Sequence, residues 1–228
     1  MPPCNEGLLT ANRIRQLELH PVVGPVDTGQ LLEIHRRIFQ DLPHHGPGQW
    51  RPDAPHHIKA RALETLGARY YVPYAPRWEV PDGLSRTLTP ALLPELAHLP
   101  QPALAQRLAA LYADLDYWHP FAEGNSRTLR VFTRQIARQL GYVLDWGGSN
   151  ADNRARDILY VARDRAVFQR AFPNLSAERA MTTTNRIEFE AYMMMQQFRS
   201  LSSLEELLKT WVQPDKKHRQ DRETEAER

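Results

Sequence analysis

Between Trp118 and Arg130 the chain reads WHPFAEGNSRTLR, which sets a histidine, a carboxylate, a Gly-Asn-Ser turn and two arginines side by side. Gly124 and Asn125 break the chain just ahead of a helix expected to begin near Ser126, and the first N–H groups of a helix lack partners and bind anions. Asn125 can cap that helix. Gly124 lets the backbone approach a ligand with no Cβ in the way. Arg127 lies in the first turn and Arg130 one turn later on the same side, so two guanidinium forks can reach successive phosphates. Glu123 would be repelled by those phosphates unless a cation joins them, and Mg²⁺ is held in this way by one carboxylate and phosphate oxygens. His119 stands across the loop, where an imidazole of near-neutral pKa can take a proton from an attacking hydroxyl. The combined chemistry is attack on a phosphate. The same residues have a second reading: Arg127, Arg134 and Arg138 form a basic helix face that binds nucleic acid or an acidic partner without chemistry.

The elements that must hold this stretch are helical. ALAQRLAALYADLDYW places Leu104, Leu108, Leu111, Leu115 and Trp118 on one face, so a core helix runs straight into His119. RTLRVFTRQIARQL turns Leu129, Phe132, Ile136 and Leu140 inward, with Gly141 as its stop. Upstream, Asp27 and Thr28 can cap GQLLEIHRRIFQDL, whose Leu31, Leu32, His35, Ile38 and Phe39 recur at helical spacing until Pro43 ends the run. ADNRARDILYVARDRAVFQRAF and a late stretch from Arg186 to about Val212 repeat the pattern. Between Gly48 and Val80 the aromatics and prolines suit a short hairpin or extended flap. The expected fold class is all-α, a helical bundle with a small β-hairpin flap. The expected organisation is an N-terminal extension over 1–28, a catalytic domain over 29–185, a C-terminal helical segment over 186–213 and a disordered charged tail over 214–228.

Composition narrows the classes. With 228 residues, 42% of them hydrophobic, the chain can bury one sizeable core. The 29 basic side chains nearly balance 27 acidic ones, for a net charge of +2, which argues against a nucleic-acid or membrane-surface protein. One cysteine, Cys4, near an N-terminus expected to be mobile, rules out an internal disulfide framework and fits a reducing compartment. No apolar run reaches the roughly 20 residues a membrane span needs, and no secretory signal is present, so a cytoplasmic protein, or one translocated by another route, is expected. The pairs His44-His45 and His56-His57 lack a third metal ligand at suitable spacing.

HPFAEGNSR, continuing to Arg130, resembles the signature of Fic proteins, the Fic/Doc family. LLEIHRRIFQDL with PGQWR, YYVPYAP and ARQLGYVLDW extend the resemblance over roughly residues 29–172. It implies that His119 is the base, Phe121 a core anchor, Glu123 the Mg²⁺ ligand, Gly124, Asn125, Ser126 and Arg127 the phosphate loop, and Arg130 the holder of the terminal phosphate. It further implies transfer of AMP from ATP to a Ser, Thr or Tyr hydroxyl of a target protein; transfer of UMP or of phosphate is the alternative within the same fold. Ser126 departs from the family's usual second glycine, yet it is unlike the lysine of the phosphate-transferring Doc branch. The flap over about 69–74 would dock the target as an added strand. Family members are often restrained by a glutamate that pairs with the second arginine; Glu190 and Glu206 are the partial matches here, and an antitoxin partner is the alternative. Arg156 and Tyr160, four apart on the next helix, are placed to contact the nucleoside.

Overall fold

The structure is a computed structural model that describes residues 5–53 and 57–215. Cys4, His56 and residues 216–228 lie outside the described residues. In chain order the elements are α1 Glu6–Leu19, α2 Thr28–Phe39, β1 His57–Leu63, β2 Ala68–Tyr74, α3 Val80–Thr87, α4 Leu92–Ala97, α5 Gln101–Trp118, α6 Asn125–Gln139, β3 Tyr142–Leu144, α7 Asn153–Ala171, α8 Ala177–Thr182, α9 Arg186–Gln197, α10 Leu204–Trp211 and β4 Val212–Pro214. No described helix is long and apolar enough to cross a membrane.

Helix α5 is the central rod. Leu104, Leu108, Leu111 and Leu115 are each buried, and α5 packs against α3, α6, α7 and α10. Asp27 Oδ1 accepts the Gln30 N–H at 2.8 Å and starts α2, whose Leu31, Ile34, Ile38 and Phe39 enter the same core. Asp152 caps α7 by accepting the Ala155 N–H at 2.7 Å. A second cluster lies beneath the hairpin. Tyr70, Val72 and Tyr74 alternate inward from β2 and meet Val161 and Phe168 of α7 and Ala191 and Met194 of α9. β1 and β2 pair antiparallel from His57 opposite Tyr74 to Leu63 opposite Ala68.

Two expectations from the sequence change, and a stretch left without one is placed. The late helical stretch is two helices, α9 and α10, because Ser203 starts a new helix with a capping box to Glu206. Residues 80–97, which show no clear periodicity, fold as the short helices α3 and α4. Pro214, expected to begin a tail, ends β4, which pairs with β3, and the Asp215 N–H bonds Gly141 O at 2.9 Å.

Candidate active site

The site forms where α5 ends and α6 begins. His119 closes α5 with φ 44° and ψ 60° and is the one non-glycine residue with positive φ among those described. A side chain in this left-handed conformation costs about 1 to 2 kcal/mol, so the neighbours must hold it. The His119 N–H bonds Leu115 O at 3.2 Å, and its carbonyl accepts Nε of buried Arg51 at 2.8 Å. Arg51 Nη2 donates to Ala75 O at 2.5 Å, tying the residue after the flap to the end of α5. The Tyr74 ring lies 3.8 Å from the imidazole. His119 is only 4% exposed, and burial lowers its pKa to about 4 against the upward pull of Asp116. The ring is therefore neutral at neutral pH. Its Nδ1 stands 3.8 Å from Asp116 Oδ1, beyond hydrogen-bond distance, and neither ring nitrogen bonds to a described group.

Asp116, one turn back on α5, faces Arg163 of α7. Arg163 Nε reaches Oδ2 at 3.0 Å and Nη2 reaches Oδ1 at 2.9 Å. The third nitrogen, Nη1, donates to Ser126 Oγ at 3.0 Å. Burial opposes charge on Asp116, but the adjacent guanidinium overrides it and holds the carboxyl below its ordinary range. One side chain of α7 thus braces both the histidine's neighbour and the 123–127 loop.

The loop itself differs from expectation at Asn125. Gly124, with φ 82°, is the residue that caps α6, and it makes no side-chain cap bond. Asn125 instead turns back: its Nδ2 donates to Phe121 O at 2.7 Å and its Oδ1 accepts the Phe121 N–H at 3.0 Å. Its amide matches both backbone groups of one residue, so it closes the loop on itself and leaves the helix N-terminus without a side-chain cap. Gly124 is demanded twice, by its positive φ and by the Phe39 ring, which a Cβ would approach to 2.2 Å. Phe121 is fully buried and stacks on His35 at 3.8 Å and 3°. The Gly48 N–H donates to His35 Nδ1 at 2.9 Å, so Nε2 carries the hydrogen and donates to Glu123 O at 3.1 Å. His35 is a loop support inside an apolar helix face.

These parts open onto a cleft of about 470 Å³ whose wall includes His119, the 123–127 loop and Arg130. Lys59, Arg61, Arg156 and Arg163 add further positive charge, and Glu123 is the one carboxylate among the described lining residues. Arg61 is paired with Asp164 and Arg156 with Glu64. Among the described residues, Arg127 and Arg130 are not paired with a carboxylate. Arg127 lies over the Phe39 ring at 4.7 Å and donates to Thr10 Oγ1 at 3.0 Å; Arg130 lies 5.6 Å from the Trp146 ring with its buried Nε unbonded. Burial lowers the pKa of both, and an anion would relieve that cost. The Glu123 side chain is 63% exposed, with Lys59 Nζ 3.3 Å from Oε1. A lone exposed carboxylate is the kind of ligand that Mg²⁺ takes together with phosphate oxygens. Arg156 and Tyr160 also line the cleft.

The Fic/DOC family profile matches residues 25–137. The chain belongs to the Fic/DOC family. It is 30% identical over 142 residues to the protein adenylyltransferase VbhT of Bartonella schoenbuchensis, covering 58% of this chain but 26% of that protein. It is 28% identical over 170 residues to the probable protein adenylyltransferase Fic of Salmonella typhimurium, covering 72% of this chain and 77% of the relative. Two solved structures share the fold. The BepC protein of Bartonella tribocorum with bound AMPPNP superposes with a TM-score of 0.57 at 16% identity, over 92% of this chain and 86% of that one. The N-terminal Fic domain of a putative cell filamentation protein of Bartonella quintana with bound ADP gives 0.57 at 20% identity, over 93% and 85%.

The glutamates singled out as restraints on this Fic loop are engaged elsewhere. Glu190 accepts Arg186 Nε at 2.7 Å, and Glu206 serves Ser203 in the capping box of α10. The arginine stripe of α6 is also occupied, since Arg134 pairs with Glu18 and Arg138 Nη1 donates to Glu18 O at 2.9 Å. Asp116, Arg163, Lys59 and Arg51 complete the site with no role assigned to them from the sequence, and His35, read there only as part of an apolar helix face, supports the loop. A histidine within an apolar helix face was the one available signal.

Proposed function

We propose that this Fic chain transfers AMP from ATP to a Ser, Thr or Tyr hydroxyl of a target protein and releases pyrophosphate. The observation that carries the reading is the neutral, buried His119 imidazole, free of protein hydrogen bonds, in the wall of a cleft that also contains the α6 N-terminus, Arg127 and Arg130. The adenylyltransferase names of the two relatives and the nucleotides named with the two solved structures support it.

In this reaction His119 accepts the acceptor hydroxyl's proton as that oxygen attacks the α-phosphorus. The new O–P bond forms while the bond from the α-phosphorus to the pyrophosphate oxygen breaks, and pyrophosphate departs. Nearby phosphate charge raises the imidazole pKa from about 4 toward neutrality, which strengthens the base when substrate is in place. The first N–H groups of α6 with Arg127 and Arg130 hold the phosphates, Arg156 and Tyr160 face the nucleoside, and the flap docks the target. Glu123 would hold Mg²⁺, which when bound neutralises phosphate charge. The local bonds of Glu190 and Glu206 support restraint of this activity by an antitoxin-like partner over restraint by these glutamates.

The test is incubation of the purified chain with Mg²⁺, a cell lysate and ATP, GTP, CTP or UTP labelled at the α- or γ-phosphate. Label from α-labelled ATP appearing on protein is expected. Label from the γ-position alone would make the protein a kinase-like member of its fold, preference for another nucleotide would correct the adenine assignment, and no covalent label from any nucleotide would overturn the reading.

A further inference from the structure

Away from the cleft, the fold brings together three metal-ligating side chains that the sequence keeps apart. Glu6 is the first residue of α1, while His44 and His45 belong to the 3-10 turn Pro43–His45. Their ligand atoms all lie within 4.8 Å of one another. The carboxylate is shared, with Oε1 2.7 Å from His44 Nε2 and Oε2 3.3 Å from His45 Nε2. Adjacent residues usually send their side chains apart; here the tight turn sets the two imidazole centroids 4.6 Å apart and turns both rings to one acid. The His45 side chain is 8% exposed and stacks on Phe39 at 4.9 Å, which fixes its direction. His44 and Glu6 remain 62% and 44% exposed, so an ion can enter and keep solvent on its open side.

We propose that Glu6, His44 and His45 form a binding site for a borderline divalent transition metal, Zn²⁺ above all. Two neutral imidazole nitrogens and one carboxylate are a donor set such ions favour, whereas Mg²⁺ and Ca²⁺ favour oxygen throughout. Three protein ligands and an open position suit four-coordinate zinc, and one carboxylate offsets half its charge. The acid already faces both rings, and His44 and Glu6 are exposed enough to turn and admit an ion between them.

The site is separate from Glu123 and stands one aromatic ring away from the phosphate loop. Phe39 contacts His45 on one side and Arg127 on another. A second link runs through α1: Thr10 Oγ1 donates to Glu6 O at 2.9 Å and accepts Arg127 Nη1 at 3.0 Å. An ion that fastens the first turn of α1 to the Pro43–His45 turn therefore also steadies the hydroxyl that positions Arg127. The binding itself does not depend on which group the cleft transfers.

The experiment uses the full chain without a histidine tag, stripped of metal by a chelator that is then removed. Zn²⁺ is titrated by calorimetry, Co²⁺ by visible absorption, and Mg²⁺ serves as the hard-ion control. One Zn²⁺ per chain is expected, with a rise in Tm that Mg²⁺ does not reproduce and Co²⁺ bands of a low-coordinate site. Glu6→Gln keeps a hydrogen-bonding oxygen but removes the charge, and His44→Ala removes an exposed ring; each should weaken Zn²⁺ at least tenfold and abolish the Tm rise, while His98→Ala leaves both unchanged. Absence of Zn²⁺ binding by the wild-type chain, or equal binding by a Glu6→Gln/His44→Ala double variant with native circular dichroism, would overturn the proposal.

Discussion

Asp116 and Arg163 form a buried two-pronged ion pair that joins α5 to α7, with nitrogen–oxygen distances of 3.0 and 2.9 Å. Such a pair adds little compared with an apolar replacement, but removing one partner leaves a charge in low dielectric and costs about 3 to 5 kcal/mol. Asp116→Ala and Arg163→Met should each lose roughly this much in urea denaturation. The double variant should lose less than the sum of the two. Additive losses would mean that the two side chains act independently.

His119→Ala is expected to reduce transfer by about 10² to 10⁴ while nucleotide affinity stays nearly constant, because a general base acts on the rate and little on ground-state binding. His119→Asn should be equally inactive yet more stable, since asparagine tolerates the left-handed backbone better than alanine. Single-turnover labelling and equilibrium nucleotide titration separate the two effects. Wild-type labelling by a folded variant would remove His119 from the mechanism.

Ser126 is more than a small residue in the loop, because its hydroxyl accepts Arg163 Nη1. Ser126→Gly should keep or raise AMP transfer at a stability cost of about 1 kcal/mol for the lost hydrogen bond. Ser126→Lys should suppress transfer and lower Tm, since it sets an ammonium against a buried guanidinium and fills the phosphate space. Comparable activity of the serine and lysine forms would show that this position does not govern how the nucleotide lies.

Acid should unfold the protein through its buried imidazoles. Burial lowers the pKa of both His35 and His119 from 6.5 to about 4. Each binds fewer protons when folded than when unfolded, so its contribution is complete above pH 6.5 and is lost as the pH falls toward 4. The loss is on the order of 3 kcal/mol for each. Urea midpoints at pH 7.5 and 4.5 measure it, and His119→Asn should show a visibly smaller decline than the wild type. A flat profile across that window would contradict the neutral, buried state of both rings.

Gly124→Ala tests the loop's packing. The added methyl would sit 2.2 Å from Phe39 Cζ on a backbone at φ 82°, a combined cost of about 2 to 5 kcal/mol from overpacking and the left-handed conformation. Phe39→Leu in the same chain should recover part of the loss, which a thermal melt would register. No recovery would assign the cost to the backbone alone.

The site residues within 119–130 are contiguous, so their types and spacing were readable, and α2, α5, α6 and α7 carry apolar periodicity strong enough to be read without partners. Long-range bonds leave no such trace. Asp116 looks like a polar residue in a core helix until Arg163 is placed against it, and Lys59 looks like an ordinary strand lysine until its Nζ reaches Ala122 O at 3.0 Å. Asn125 was readable as a cap by type, but the competing partner, the Phe121 backbone, appears only when the loop is closed. β3 and β4 have three residues each, too few to alternate, and exist because they find one another. His44 and His45 were legible as a pair, whereas Glu6 joins them only through the packing of α1.

Both ends of the described chain are moored to α6 or to the turn that ends it. Near the start, Glu18 of α1 grips Arg134 and Arg138 of α6; at the end, β4 lies along β3, and Asp215 bonds the glycine that stops α6. Tension applied to either tether reaches α6 together with the elements beside it, α2 at the start and α5 and α10 at the end. A fusion partner, a surface attachment or a pulling handle at either terminus will therefore also be felt as torque on the helix whose first turn lines the cleft.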